Sequence, residues 1–375
     1  MIKKYYFFIG IFILLTFLLF NFITEREKNY FSVDEKVHIN NSKYVFENSF
    51  FVKNPLKYID FPAPTTPLAN IFFGFFIIFS DNLIFLRFVN LIVAILCIFV
   101  FQKILELKKI KDKYKVLSFV VFPYFVILSQ LVMTDIFGLF MCLISVYFFE
   151  LYKKTYNKKD LVFSSIFATL AFFSRQYYIF VSISQGISLF FKKKDHLILY
   201  FIFLIPIFLY IYLQKGFTPI DYRDSYNIEI IPIKLYIISS IGFYFLPQIF
   251  SLKIRWTWIF AFVFTFILFK TNLFINQCSG ISCRLWNYEI ISIILTSLGF
   301  ILIIDFLKNT KDFTMILYSL TFIVEQFFNS MPYDRYFLSI YWLFLLHSKK
   351  ETSKIQFFYT LFITIIYIFY KVVLT

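Results

Sequence analysis

The sequence predicts an all-α integral membrane protein with about thirteen transmembrane helices, and three observations lead there. The first is composition: 60% of residues are apolar and 16% charged, with a mean hydropathy of +0.76. A soluble domain carries about a quarter charged residues. The second is recurrence. Apolar runs long enough to cross a hydrocarbon core follow one another along the chain, and a backbone in lipid must satisfy its own hydrogen bonds, which selects helices. The third is charge placement. Lysine clusters separate alternate runs, the pattern of cytoplasmic loops. That distribution accounts for the net charge of +15 and argues against a nucleic-acid partner. The 59 phenylalanines also fit AT-biased coding.

Span 1 is expected over Tyr5–Thr24, its N-terminus on the cytoplasmic side behind Lys3 and Lys4. It outruns a signal-peptide core, and no small-residue cleavage site follows, so it is read as retained. An outer polar loop, Glu25–Thr66, comes next and holds Val33-Asp34-Glu35-Lys36-Val37-His38. Leu68–Ser80 is too short to cross and is read as interfacial. Span 2 (Leu83–Leu105) descends to the basic turn Lys108–Lys115, and span 3 (Val116–Gln130) returns to Thr134 and Asp135. Span 4 (Ile136–Tyr152) reaches Lys153, Lys154, Lys158 and Lys159. Span 5 (Leu161–Ser174) rises to Arg175-Gln176, and span 6 (Tyr177–Phe191) falls to Lys192–Lys194. Span 7 (Leu197–Leu213) opens an outer loop, Gln214–Pro232. Spans 8 (Ile233–Leu252) and 9 (Trp256–Phe269) flank Lys253 and Arg255, and a second outer loop runs from Lys270 to Tyr288. Spans 10 (Glu289–Leu307) and 11 (Phe313–Phe328) flank Lys308 and Lys311. The outer tip Asn329–Tyr336 precedes span 12 (Phe337–Leu346). Lys349, Lys350 and Lys354 precede span 13 (Ile355–Leu374). The whole is expected to be one polytopic domain, 1–375, without a soluble module or internal repeat.

Under this topology the ionisable residues near membrane depth that are not cytoplasmic lysines gather on the outer side: Asp34, Glu35, His38, Asp135, Arg175, Asp221, Arg223, Asp224, Arg284, Asp334 and Arg335. Charges at that depth are expensive and mark function by default. Asp34 and Glu35 suit a general base acting on a hydroxyl, or are solvated loop charges. Asp135 is either a helix cap with Thr134 or a site residue that holds an acceptor or an active-site cation. Arg175 either snorkels to headgroups or binds a phosphate in bidentate fashion. Arg335 has the same two readings, with pairing to Asp334 as a third. His38, without a second histidine or a cysteine cluster, suits a hydrogen bond to phosphate or sugar, or plain solvation, better than a metal. Cys97 and Cys142 lie inside apolar runs. Cys278 and Cys283 share a loop and can pair if it faces an oxidising compartment. No Walker pattern, Gly-rich phosphate loop, Asp-x-Asp or serine elbow occurs, so a sugar donor would have to come from the membrane.

Asp34-Glu35-x-x-His38 with Tyr44, Thr65-Thr66-Pro67, Arg175-Gln176 and Arg335-Tyr336-Phe337 together resemble the dolichyl-phosphoglucose-dependent α-1,2-glucosyltransferase family, within the GT-C multispan glycosyltransferases. Gly216, Asp221 and Lys234-Leu235-Tyr236 are similar more loosely. The resemblance implies a membrane enzyme of protein glycosylation that adds the terminal glucose to a lipid-linked oligosaccharide. It implies inverting transfer from a polyprenyl (dolichyl) phosphate sugar, with Asp34 as base and Glu35 as its partner. Arg175 and Arg335 would offset charge on the leaving lipid phosphate, and Asp135 would orient the acceptor. His38, Gln176, Asp221 and Tyr336 would complete substrate binding. Its partners would be the lipid-borne donor, the lipid-linked glycan acceptor and membrane lipids. The scheme needs no cofactor and no metal, with a divalent cation between Asp34 and Asp135 as the open alternative. The expected setting is the endoplasmic reticulum membrane with a lumenal site, or a bacterial inner membrane. A multispan transporter or lipid flippase is the competing class, and a polymerase-like or structural membrane protein the next.

Overall fold

The computed structural model describes residues 8–13, 15–16, 33–47, 65–217, 235–253, 256–270, 281–286, 288–326 and 334–373. All regular structure among them is helical, with no strand. In chain order the helices are α1 (Val33–Glu47), α2 (Leu68–Ile77), α3 (Leu83–Leu107), α4 (Lys113–Val120), α5 (Pro123–Leu128), α6 (Thr134–Thr155), α7 (Lys158–Ser174), α8 (Ile179–Lys192), α9 (Leu197–Ile202) and α10 (Ile205–Leu213). After these come α11 (Leu235–Tyr244), α12 (Leu246–Ile249), α13 (Trp256–Lys270), α14 (Ile281–Trp286), α15 (Glu289–Asn309), α16 (Phe313–Gln326), α17 (Leu338–His347) and α18 (Lys350–Val373).

Among the described residues, four helices are each long and apolar enough to cross a membrane: α3, α6, α15 and, through Phe369, α18. The bent pair at 194–213 supplies a fifth crossing if it counts as one span. Several expected spans are broken, and the breaks have causes. Pro123 lacks an N–H and restricts the residue before it, so span 3 becomes α4 and α5. Pro247 divides span 8 into α11 and α12 in the same way. Span 7 bends by 54° between α9 and α10, just ahead of Pro206. The carbonyl of Phe203 at that bend accepts a hydrogen bond from Thr169 Oγ1 at 2.7 Å, which meets the need for internal partners in lipid. Of span 1, residues 8–13 and 15–16 are helical; its remainder lies outside the described residues.

The expected outer loop Glu25–Thr66 requires a correction, because residues 33–47 form helix α1. This stretch holds no proline or glycine, and two of its three acids, Asp34 and Glu35, occupy the first turn, at the positive end of the helix dipole. The segment carries too few apolar residues to show a helical stripe, which is why periodicity did not reveal it.

The chain forms two compact units. The first comprises residues 1–111 and 125–225. In it α6 lies along α7 and α3, and α1 lies along α2. Ile39, Phe73, Ile77, Leu86, Val89 and Val132 join into one buried apolar cluster. Deeper between α6, α7, α8 and α9, the Gln185 side chain is hydrogen-bonded to Ser145, Ser164 and the Tyr200 hydroxyl at 2.9–3.0 Å. Neutral polar groups of this kind join helices that gain nothing from expelling water.

The second unit comprises residues 112–124 and 226–375. Its central seam is α11 against α15. A Cβ added at Gly242 would lie 2.0 Å from the Leu295 carbonyl oxygen, and one at Gly299 would lie 1.9 Å from that of Ile238. The two backbones therefore approach as closely as small residues allow. Beside the seam, Phe122, Tyr244, Phe245, Phe337 and Tyr341 form a buried aromatic stack. Near the basic turn, Lys115 donates to the carbonyls of Leu346 and Ser348 at 2.9 and 2.6 Å and so closes the end of α17.

Candidate functional site

Neighbouring residues on a helix point about 100° apart, and the first turn of α1 uses that angle. Asp34 is exposed, whereas Glu35 is fully buried. Arg87, one turn inside α3, donates from Nε to Glu35 Oε1 at 2.9 Å and from a terminal nitrogen to Oε2 at 2.7 Å. The backbone N–H of Val132 adds a third bond to Oε1 at 3.1 Å. This is a two-pronged guanidinium–carboxylate pair, the strong geometry for such a contact. Its desolvation is offset only while every partner stays in place.

The segment that supplies Val132 leads directly to the second pair. Asn90 on α3 donates from its amide nitrogen to the carbonyls of Leu128 and Leu131 at 2.7 and 2.6 Å. That fixes the non-helical stretch between α5 and α6. Asp135 then enters α6 in its first turn, 1% exposed. It is not a cap: Met133 holds the N-cap position, and no side chain caps this helix. Asp135 Oδ2 instead accepts from Arg175 at 2.7 Å, and Oδ1 accepts from the Tyr177 hydroxyl at 3.2 Å. Arg175 is itself buried and takes an extended backbone conformation at the C-terminus of α7, where a cation complements the helix dipole. That conformation ends the helix and starts the 3-10 turn Gln176–Tyr178. The turn lays the Tyr178 ring against Gly138, where an added Cβ would come within 2.6 Å of it. A glycine three residues past Asp135 is therefore required by this contact.

The structure brings Asp34, Glu35, His38, Asp135, Arg175 and Gln176 into the first unit. His38 is buried one turn after Glu35 on α1. Gln176 is half-buried, and its side chain is hydrogen-bonded to the Tyr210 hydroxyl. Thr66, from the Thr-Thr-Pro stretch, donates to the Phe172 carbonyl at 3.0 Å and ties the start of α2 to α7. Arg335 and Tyr336 belong to the second unit, on the 3-10 turn Asp334–Phe337, with the guanidinium 5.7 Å from the Tyr336 ring centre. Asp221, Arg223 and Asp224 lie outside the described residues, as does Cys278. Cys283 is disulfide-bonded, whereas Cys97 and Cys142 are free thiols.

Sequence reasoning missed Arg87, the Val132 N–H, Asn90 and Tyr177. Arg87 had a readable signal, a guanidinium within the apolar run that becomes α3. The others act on Glu35, Asp135 or the segment between them through contacts that only the tertiary fold creates. Among the described residues no group of three or more His, Cys, Asp or Glu side chains is placed to hold a metal ion.

Chemically, the arrangement offers an exposed carboxylate, Asp34, in the first turn of a helix anchored there by the Glu35–Arg87 ion pair. A second buried pair stands at the other end of the same short segment. Set against models of known families, against curated proteins and against solved structures, the chain matches none.

Proposed function

We propose that the chain is a GT-C-type inverting glycosyltransferase that moves a sugar, glucose by the motif pattern, from a polyprenyl (dolichyl) phosphate to a lipid-linked oligosaccharide. The observation that supports this reading most is the contrast between Asp34 and Glu35. The exposed acid stands at the start of α1, and the next residue is locked into Arg87 and Val132. A general base needs access to substrate and a fixed position, and these two neighbours divide those tasks.

In the proposed step Asp34 takes the proton from an acceptor hydroxyl as its oxygen attacks the anomeric carbon. The bond from that carbon to the phosphate oxygen breaks, and the lipid phosphate leaves with the electron pair. Glu35 holds Asp34 in place. Asp135, held by Arg175 and Tyr177, is the proposed acceptor-orienting group. Arg175 has its guanidinium turned to Asp135, so its proposed contact with phosphate requires that pair to be shared with the substrate. Substrate contact by His38, Gln176, Asp221, Arg335 and Tyr336 stands as part of the same proposal, as do a non-cytosolic site and a full set of about thirteen crossings. The disulfide at Cys283 agrees with an oxidising outer compartment.

A multispan transporter is the second reading, favoured by the bent pair at 194–213, since broken helices line transport sites. The deciding experiment supplies membranes containing the protein with labelled polyprenyl-phosphate glucose, mannose and arabinose. Movement of label from one donor onto a lipid-linked glycan is expected. Passage of the intact donor across the bilayer, without transfer, would replace the enzyme reading by the transporter.

A further inference from the structure

The opposite end of the first unit gathers cations that the proposed chemistry leaves unused. The residues 106–111, 150–160 and 192–196 hold ten lysines and four carboxylates. Their turns converge on the last turns of α6. Buried Glu150 accepts from Lys108 at 2.9 Å, which draws the 108–111 turn onto α6, and its other oxygen is ion-paired with Lys153. Lys154 donates to the Leu107 carbonyl and adds a second tie. Tyr152 bonds His196 at 2.6 Å, which brings in the turn after α8. Asp160 accepts from Thr155 Oγ1 at 3.0 Å.

With Glu150 and Asp160 engaged inside the cluster, Lys109, Lys158, Lys159, Lys193 and Lys194 remain exposed around it. Two of these cations stand over aromatic faces: Lys193 lies 4.7 Å from the centre of the Tyr156 ring, and Lys194 lies 5.0 Å from that of Phe190. Both rings are exposed, as is Phe191. Ammonium groups outermost with aromatic rings beneath them is the layering of a membrane–water boundary.

We propose that this end of the first unit is a docking surface for the phosphate headgroups of anionic lipids, gripped by lysines from three separate turns. Charge complementarity commits the surface to an anionic leaflet, because a zwitterionic headgroup gives the lysines little net attraction. Juxtamembrane lysines each add favourable energy at such a surface, and here the ties to α6 hold three turns in place together. The proposal is independent of the transferase reading.

The test reconstitutes the full chain in bilayers that mix phosphatidylcholine with phosphatidylglycerol and measures the lipid retained on extraction by native mass spectrometry. Retained lipid is expected to be enriched in phosphatidylglycerol. The variant Lys158→Gln/Lys159→Gln/Lys193→Gln/Lys194→Gln is expected to lose that enrichment by about tenfold. Lys43→Gln/Lys215→Gln, away from this cluster, is expected to keep it. Unchanged thermal unfolding of all variants in pure phosphatidylcholine verifies folding. Absence of enrichment in the parent, persistence of it in the fourfold variant, or equal loss in the control pair would each overturn the proposal.

Discussion

The two units bury different things. At one end of the first, two carboxylates and two guanidiniums are packed into ion pairs, Glu35–Arg87 and Asp135–Arg175. The seam of the second has backbones touching across Gly242 and Gly299, flanked by aromatic rings and neutral hydrogen bonds. The seam shows that this chain can hold helices together without charge. Buried ion pairs are a costly way to reach the same end, since apolar residues of similar volume often do as well or better. The charges of the first unit therefore call for an explanation other than packing, and the proposed chemistry supplies one.

The comparison breaks most sharply at the seam. Gly299→Leu places a side chain where the Ile238 carbonyl already stands, and the main chain cannot yield as a flexible side chain can. The expected loss is about 3 kcal/mol or more, read as a collapse of the thermal transition or of expression. A well-folded variant would mean that the seam is looser than described.

The second effect separates packing from chemistry. Asp135→Leu alone removes the carboxylate paired with the buried Arg175 and is expected to cost about 3–5 kcal/mol. Asp135→Leu/Arg175→Leu removes both charges and is expected to recover most of that stability while leaving transfer abolished. Recovery of both stability and transfer would reduce the pair to a structural element.

These cases also show what the sequence could carry. The long uninterrupted apolar runs that became α3, α6, α15 and α18 were legible because length and hydropathy alone define them. The breaks in spans 3, 7 and 8 fall at or beside Pro123, Pro206 and Pro247, where apolar content continues but the backbone lacks an N–H. Helix α1 was hidden by its polarity. The pairing of Asp135 with Arg175 across forty positions was out of reach, since it depends on α6 lying along α7. Asp135 could be flagged as expensive, but its partner could not be named.

The smallest expected effect lies in the second unit at Lys115, in the basic turn. Burial lowers its pKa from the usual 10.5 to about 8, with nearby Asp112 opposing the shift. Between pH 8 and 10.5 the unfolded chain keeps a proton that the folded lysine has released. Stability of that unit therefore rises with pH through this window and is independent of this group below it. Lys115→Met is expected to flatten the slope when unfolding is followed from pH 8 upward. An unchanged slope would show that the two carbonyls and Asp112 keep the ammonium charged.

The most direct measurement pairs activity with stability in Asp34→Asn. The side chain is exposed, so the thermal transition is expected to match that of the parent chain, while transfer from the labelled polyprenyl-phosphate sugar disappears. Transfer at the parental rate in this variant would contradict the assignment of Asp34 as the base and, with it, the chemical reading of this end of the first unit.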